Sequence, residues 1–281
     1  MNNFYIVVNT EKENTETVRK QIEAYLTVRR KRFFSSGESF TKGSGRAACR
    51  DLPADTECVI TLGGDGTLLL AARALAGTNI PIIGINLGNL GYLTELGRDG
   101  NIEELLDALI CGRYQIQERM MLKGTVYHDG HPVHENIALN EIVVSREGEL
   151  RVLKFGIYVN GQLLNQYSAD GMIVATPTGS TAYNLSAGGP IAQPDGNLLL
   201  LTPICPHTLA SRTIVFSPES RIKIEVSEIN RGRPMAVFDG DTKVPLECGD
   251  SIEIERSGQV ARIIKLDNRS FLDILKQKMA Q

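Results

Sequence analysis

Two kinds of apolar pattern alternate along the first hundred residues. Short, mainly apolar runs occupy residues 4–8, 59–62 and 80–85. Between them lie helix-like segments, the first marked by apolar residues at positions 18, 22, 25 and 26 and the second spanning residues 68–76. Short apolar runs are typical of buried strands, whereas recurrence every three or four residues is typical of helices. The alternation predicts a Rossmann-like parallel sheet flanked by helices.

A further helix is expected to close this first domain. Asn101, with Glu104 three residues later, forms a capping-box pattern, and the apolar residues that follow between positions 102 and 110 lie on one helix face. We therefore place the α/β domain at residues 1–118.

From about Leu122 the pattern changes to short strands between turn signals. The predicted strands are residues 137–144, 152–159, 172–175, 198–201, 213–216, 221–226, 235–238, 251–255 and 260–266. Asn160-Gly161 and Asp239-Gly240 are typical hairpin turns. The pattern predicts an all-β, sandwich-like domain at residues 119–267. Ser270 and Asp273 then begin an amphipathic helix, at residues 268–281, that is expected to pack back on the first domain.

Composition and charge narrow the classes of protein to consider. With 281 residues, 42% of them hydrophobic, the chain is long enough for two cores. A net charge of −3 disfavours binding to nucleic acid or to an anionic membrane, and we interpret the basic cluster at residues 29–32 as the end of a helix. The five scattered cysteines indicate reduced thiols, and neither a leader nor a membrane span is visible, so a cytoplasmic protein is expected.

The first candidate site is the sequence Gly-Gly-Asp-Gly-Thr at residues 63–67, between a predicted strand and a predicted helix. Glycines let a backbone approach a phosphate closely, and a helix start attracts anions. We therefore expect a phosphate site formed by Gly63, Gly64, Gly66 and Thr67. Asp65 would repel phosphate unless it handles a hydroxyl proton or works beside a cation, which points to phosphoryl transfer. A simple tight turn with an acid near the helix cap is the alternative.

A second glycine-rich segment, residues 84–92, follows the next predicted strand. Because ligands gather at the carboxyl ends of parallel strands, this segment and the Asp65 loop should meet in one crevice. Tyr92 could stack on a planar base there, although packing is the commoner role of such an aromatic residue.

Asn140 and Glu141 interrupt an otherwise apolar strand. Strand alternation would expose only one of the two side chains, so the other needs buried partners, from the protein or from a ligand. A β-bulge or strand end with ordinary backbone hydrogen bonds is the alternative.

The longest polar segment begins at Asp170-Gly171 and continues through residues 176–190, which are rich in hydroxyl groups and glycines. Such a surface suits the phosphates, ribose and base of a nucleotide. Individually, Thr178, Ser180 and Thr181 could instead cap a helix.

Three histidines, His128, His131 and His134, surround the pair Asp129-Gly130. We interpret them as side chains at a hairpin tip, because spacings of three place successive residues on opposite faces of a strand, which does not suit a zinc site.

Taken in order, these motifs resemble those of NAD kinases. The resemblance rests on Gly-Gly-Asp-Gly-Thr, Asn-Leu-Gly-x-Leu-Gly-Tyr, the Asn-Glu pair, and Asp-Gly followed by Thr-Pro-Thr-Gly-Ser-Thr-Ala-Tyr. It covers nearly the whole chain. The first motif alone is shared with diacylglycerol and sphingosine kinases, so a lipid kinase is one alternative, and a non-catalytic nucleotide-binding regulator is another.

The resemblance implies an enzyme that phosphorylates the 2′-hydroxyl of the adenosine ribose of NAD to make NADP. The donor would be ATP, or polyphosphate as in some members, with a divalent cation, usually Mg²⁺. It also implies a homodimer or homotetramer. The residues leave the choice between NAD and NADH open.

By motif, Asp65 would be the general base and Gly66 would lie beside it at the phosphate. The β domain would be the NAD-binding domain. The implied NAD contacts are Asp65, Gly66, Tyr92, Asn140, Glu141, Asp170, Thr181, Ala182, Tyr183, Ser186 and Asp239.

The chain departs from the family pattern at Ser168, where many relatives have Arg or Lys two residues before the Asp-Gly pair. Arg146 or Lys154 is a candidate for the missing cation.

Overall fold

The structure is a computed structural model that describes residues 1–12, 14–35, 52–88, 91–97, 100–148, 152–207, 212–227, 233–266 and 270–280. It divides into two compact units. The first comprises Met1–Glu118 and Ala261–Gln281, and the second comprises Arg119–Val260. The functional domain boundaries given above, 1–118, 119–267 and 268–281, stay a prediction.

The first unit contains a parallel sheet. Its strands are β1 (Asn3–Val8), β2 (Arg32–Ser35), β3 (Cys58–Gly63) and β4 (Ile82–Asn86), in the order β2-β1-β3-β4. The end of the last strand of the chain also pairs with β4 in parallel, with Ile263 opposite Ile82. Nearly every residue of β1 and all of β3 is buried, as expected for a sheet covered on both faces.

Within the described residues, the α-helices of the first unit are α1 (Thr15–Val28), α2 (Asp65–Ala74), α3 (Ile102–Cys111) and α5 (Phe271–Met279), and α4 (Tyr183–Ser186) lies in the second unit. Helix α1 buries Ile22 and Leu26 in the core beside the sheet. Asn101 caps α3 by accepting from two backbone N–H groups, as predicted. Helix α5 has the predicted capping box of Ser270 and Asp273. Among the described helices, none is long and apolar enough to cross a membrane.

The second unit contains the strands β5 to β16. Their bounds are β5 (Gln115–His128), β6 (His131–Ala138), β7 (Glu141–Glu147), β8 (Leu153–Val159), β9 (Gln162–Ala169), β10 (Gly171–Ala175), β11 (Leu199–Ile204), β12 (Ile214–Phe216), β13 (Ile222–Val226), β14 (Arg233–Phe238), β15 (Thr242–Pro245) and β16 (Ser251–Lys265). The first residues of β5 and the last residues of β16 belong to the first unit.

Two antiparallel layers enclose the core of the second unit. One has the order β12-β11-β10-β7-β14-β15, and in the other β13 lies between β8 and β16 while β9 pairs with β8. Successive side chains of β10 lie on opposite faces of its sheet. Met172 and Val174 pack in the core between the layers, whereas Ile173 and Ala175 belong to a smaller apolar cluster. The sandwich-like β architecture is therefore as predicted.

The strands that the apolar pattern did not predict are β2, β5, β9 and β15, together with all but the last two residues of β6. Three of them, β2, β9 and β15, are edge strands of their sheets. Five successive residues of β9, from Gln162 to Gln166, are exposed, so this strand carries little apolar alternation. The two strands predicted at residues 251–255 and 260–266 are one continuous strand, β16.

The basic cluster at residues 29–32 follows α1: Arg29 is the C-cap of the helix, as predicted, but Arg32 already belongs to β2. Arg29 pairs with Asp107 on α3, and Arg32 pairs with Asp55. The stretch at residues 35–50, whose many Ser, Gly and Thr residues predict a loop, lies almost entirely outside the described residues.

Candidate functional site

The Asp65 loop joins β3 to α2. The helix begins at Asp65, three residues earlier than predicted, with Gly64 as an extended N-cap that offers no side chain. A Cβ atom at Gly63 would lie 2.2 Å from the hydroxyl of Thr67, so only glycine fits above that buried side chain. The Thr67 hydroxyl accepts from Asn9 beneath the loop. The start of a ten-residue helix therefore faces outward without a capping side chain, which suits an anion.

The Asp65 carboxylate holds the second glycine-rich segment. One oxygen accepts the backbone N–H of Tyr92 at 2.8 Å, and the other accepts that of Leu93 at 3.2 Å. A Cβ atom at Gly91 would lie 2.0 Å from the nearer carboxylate oxygen. The two loops thus meet at Asp65, as expected from their positions at the ends of neighbouring parallel strands.

Tyr92 is partly buried, and the ammonium of Lys278 on α5 lies 5.9 Å from its ring centroid. Two residues beyond Leu93, the buried carboxylate of Glu95 pairs with Lys265 at the end of β16. Neither lysine was predicted, because each belongs to the C-terminal part of the chain and shows no motif of its own.

Asn140 lies in the break between β6 and β7, and Glu141 is the first residue of β7. The Asp239 carboxylate accepts the backbone N–H groups of Leu139 and Asn140 at 2.8 Å and that of Glu141 at 3.1 Å. Asp239 occupies the left-handed region in the predicted turn with Gly240. The interruption in the apolar strand is therefore a strand end, with its backbone groups satisfied by a carboxylate about a hundred residues away.

Glu141 has one carboxylate oxygen, Oε2, that is buried and lacks a hydrogen-bond partner. Only 6% of the residue is exposed. Burial, and secondarily the charge of Asp239, raises the pKa of Glu141 to about 8, while the backbone N–H of Tyr183 partly offsets this rise. Glu141 is therefore mostly a neutral acid near pH 7, and a buried acid without a full set of partners is suited to bind a ligand hydroxyl.

The polar segment 176–190 packs against Asn140. Thr176 donates its hydroxyl to the carbonyl of Leu139 at 2.6 Å, and a Cβ atom at Gly179 would lie 2.1 Å from the carbonyl oxygen of Asn140. The segment forms a 3₁₀ helix, Thr178–Thr181, followed by α4. Thr178 and Ser180 are buried and donate to backbone carbonyls, so their hydroxyls are structural. Among the predicted NAD contacts of this segment, Tyr183 and Ser186 are exposed, whereas Thr181 and Ala182 are half-buried.

Asn184, which the motif analysis passed over, fixes this segment to the sheet. It is fully buried, donates to the carbonyls of Ser180 and Pro190, and accepts the hydroxyl of Thr202 on β11 at 2.6 Å.

Asp170 forms a bidentate ion pair with Arg146, at 3.1 and 3.2 Å. Of the two cations considered as replacements at Ser168, Arg146 pairs with Asp170, and Lys154 lies opposite Ser168 in the ladder between β8 and β9. Asp170, Glu141 and Arg146 also lie within electrostatic reach of Tyr183, whose pKa is raised mainly by burial. The second unit therefore gathers Asn140, Glu141, Asp170, Tyr183 and Asp239 into one region, while the first unit gathers the loop residues Gly63 to Thr67 with Tyr92.

The histidines lie on the β5–β6 hairpin, whose turn residues Asp129 and Gly130 both have positive φ. His128 bonds to Asp250 at 2.7 Å. Across the described residues, no group of three or more His, Cys, Asp or Glu side chains is arranged to hold a metal ion.

Two protein-family models match the chain. Residues 4–114 match the ATP-NAD kinase N-terminal domain, and residues 139–266 match the ATP-NAD kinase C-terminal domain.

Relatives match over the full length. An NAD kinase of Lachnospira eligens is 42% identical over 294 residues, covering 99% of this chain and 100% of the relative. An NAD kinase of Agathobacter rectalis is 40% identical over 285 residues, covering 99% of both chains.

Two crystal structures have a similar fold. An NAD kinase from Archaeoglobus fulgidus in complex with ATP has a TM-score of 0.79 at 25% identity, with all of both chains covered. Yeast NADH kinase complexed with NADH has a TM-score of 0.81 at 24% identity, covering 98% of this chain and 86% of the yeast chain.

Proposed function

Because this chain belongs to the NAD kinase family, we propose that it transfers the terminal phosphoryl group of ATP to the 2′-hydroxyl of the adenosine ribose of NAD. The products are NADP and ADP. Family membership decides against the lipid kinase, whose resemblance rested on the Gly-Gly-Asp-Gly-Thr loop alone. The observation in the structure that supports the reaction best is the buried, unpaired Oε2 of Glu141.

Asp65 is the proposed general base. Each of its oxygens accepts one backbone N–H, which leaves each with further capacity to accept a hydrogen bond. A carboxylate fixed in this way can orient a ribose hydroxyl and take its proton as the phosphoryl group arrives. The backbone of Gly63, Gly64 and Gly66 and the start of α2 would bind phosphate oxygens. Thr67, being buried, would support the loop from below.

Asn140 and Glu141 are the proposed contacts to the adenosine part of NAD. Neutral Glu141 can both donate to and accept from a ribose hydroxyl, which a carboxylate cannot do. Asp239 contributes to this site by holding the backbone of both residues in place.

The remaining NAD contacts are proposed on the segment beside β10. Tyr183 is 43% exposed and can present its ring to a ligand, with Thr181, Ala182 and Ser186 around it. Asp170 and Arg146 would contact NAD as a pair, and Arg146 is suited to offset the charge of the pyrophosphate. In the first unit, Tyr92 would lie near a base.

Mg²⁺ is the proposed divalent cation, and it would enter bound to the phosphates of ATP. Mg²⁺ keeps several waters and commonly uses only one or two carboxylates together with substrate phosphates, so it needs no cage of protein ligands. Asp65 is the acidic side chain at the loop that could share it. When bound, the cation offsets the charge that develops on the transferred phosphoryl group.

The protein is further proposed to act in the cytoplasm as a homodimer or homotetramer. Size-exclusion chromatography with light scattering tests the oligomeric state.

The test of the reaction is direct. Purified protein is incubated with NAD, ATP and Mg²⁺, and NADP is measured with a coupled NADP-specific dehydrogenase. We expect NADP in proportion to enzyme and time. If no NADP forms while ATP and NAD both bind by calorimetry, the protein is a nucleotide-binding regulator and the proposal is wrong. Parallel reactions with NADH and with polyphosphate establish the preferred acceptor and donor.

A further inference from the structure

The ion pair between Glu95 and Lys265 is more deeply buried than the other Lys or Arg ion pairs of the first unit that the structure describes. Side-chain exposure is 7% for Glu95 and 14% for Lys265. The second oxygen of Glu95 accepts the backbone N–H of Leu266 at 3.1 Å. Glu95 is therefore held at both oxygens, by the last residue of β16 and by the residue that follows it.

Glu95 belongs to a short segment, residues 91–96, that also carries the two N–H groups that bind Asp65. Tyr92 and Leu93 donate to the Asp65 carboxylate, and Glu95 follows Leu93 by two residues. The backbone of Glu95 is itself fixed, because its N–H donates to the carbonyl of Gly84 at 2.9 Å. Residues 91–96 are thus attached at one end to the proposed catalytic acid and at the other to Lys265.

We infer that Glu95 and Lys265 are positioning residues for the reaction: they hold the 91–96 segment so that it fixes the Asp65 carboxylate. This inference rests on the proposed role of Asp65. Removing either partner leaves a buried, uncompensated charge, which the segment can relieve only by moving toward water. The Tyr92 and Leu93 donors would move with it, and small misplacements of catalytic groups lower turnover strongly.

The decisive variant is Lys265→Met, which keeps the length of the side chain and removes its charge. We expect kcat to fall roughly 10- to 100-fold, whereas KM for NAD should change less than about twofold, because the proposed NAD contacts of the second unit are untouched. Lys265→Arg, which retains the cation, should recover most of kcat. Glu95→Gln gives an independent test that keeps the side-chain shape and leaves Lys265 without its partner.

Arg262→Met is the matched control. Arg262 lies on the same strand and forms a more exposed ion pair with Glu118, at 3.0 Å, with no bond to the 91–96 segment among the described contacts. We expect this variant to keep wild-type kcat.

Amide hydrogen exchange at Tyr92 and Leu93 supplies a readout that needs no activity. Lys265→Met and Glu95→Gln should speed exchange at both amides, and Arg262→Met should not. A fall in melting temperature with unchanged exchange and unchanged kcat for the folded enzyme would overturn the inference, since the pair would then only stabilise the fold. If Lys265→Met does not fold, kcat and amide exchange measured on Glu95→Gln decide between the two outcomes. An inactive wild-type enzyme would refute the proposed reaction, whereas the exchange data would still test the link between Lys265 and the segment.

Discussion

Gly91 lies against Asp65 so closely that a Cβ atom at position 91 would stand 2.0 Å from a carboxylate oxygen. This glycine therefore serves the close approach of the backbone to the carboxylate. A methyl group there would force the proposed general base, or the two N–H groups that fix it, out of place.

We therefore expect Gly91→Ala to lower kcat by about 10²-fold while the protein remains folded. The measurement is steady-state NADP formation together with circular dichroism. Gly258→Ala is the control, because a Cβ atom at Gly258 meets nothing within 4 Å and its φ is not positive. Wild-type kcat in Gly91→Ala would show that the Asp65 geometry does not limit turnover.

Asp65→Asn should nearly abolish turnover and leave NAD binding largely intact. Loss of a general base typically lowers the rate by about 10²–10⁴. The amide also keeps only one oxygen to accept from the Tyr92 and Leu93 N–H groups, so one of these bonds must be lost. The readouts are kcat from the coupled assay and the Kd for NAD from calorimetry. Activity within a fewfold of wild type would exclude Asp65 as the base.

Glu141→Gln should remove a pH dependence of stability. The pKa of Glu141 is about 8 in the folded protein, against an ordinary value of 4.5. Between pH 4.5 and 8 the folded state therefore binds more protons at this site than the unfolded state, so this group lowers stability as pH rises through that window. Near pH 4.5 and below, the effect is absent.

At pH 8 we expect Glu141→Gln to melt at a higher temperature than wild type. Its free energy of unfolding should be larger by on the order of a few kcal/mol. The difference should shrink toward pH 5, which serves as the internal reference. Thermal unfolding of both proteins in buffers from pH 5 to pH 8 measures this difference in stability. Parallel melting curves of wild type and variant from pH 5 to 8 would mean that Glu141 is ionised in the folded state.

Tyr183→Ala should weaken NAD binding while leaving the fold intact. The ring is 43% exposed, so its truncation removes little core packing. Loss of a stacking contact lowers binding by about 1–3 kcal/mol. Tyr167→Ala is the matched comparison, since Tyr167 is 8% exposed and stacks on Phe155. That change should lower the free energy of unfolding by roughly 3–5 kcal/mol. The opposite pattern, a large loss of stability in Tyr183→Ala with unchanged NAD affinity, would make Tyr183 structural.

The sequence predicted those parts of the site that depend on local chain geometry. Gly63 to Thr67 had to lie at the end of a strand, and the neighbouring glycine-rich segment had to lie beside it, because parallel strands end at a common edge. The turns at Asn160-Gly161 and Asp239-Gly240 follow from residues that readily adopt positive φ.

Contacts between distant parts of the chain were not predictable in the same way. The three N–H groups that bind Asp239 belong to residues about a hundred positions earlier, and no periodicity links them. Glu95 and Lys265 are separated by an even longer stretch of chain. Strand β9 escaped prediction because an edge strand with an exposed polar run lacks the alternation that marks a strand.

The bonds that tie Asn184 to Ser180, Pro190 and Thr202 join groups of the protein to one another, so they order this segment without help from a ligand. A binding surface that is already ordered does not have to lose conformational entropy when NAD binds, so less of the interaction energy is spent on ordering. Association should then resemble docking on a rigid surface, with the segment 176–190 adopting the same backbone with and without nucleotide. The same rigidity limits the range of acceptors, because a preorganised loop cannot reshape itself around a nucleotide whose hydroxyl groups are placed differently.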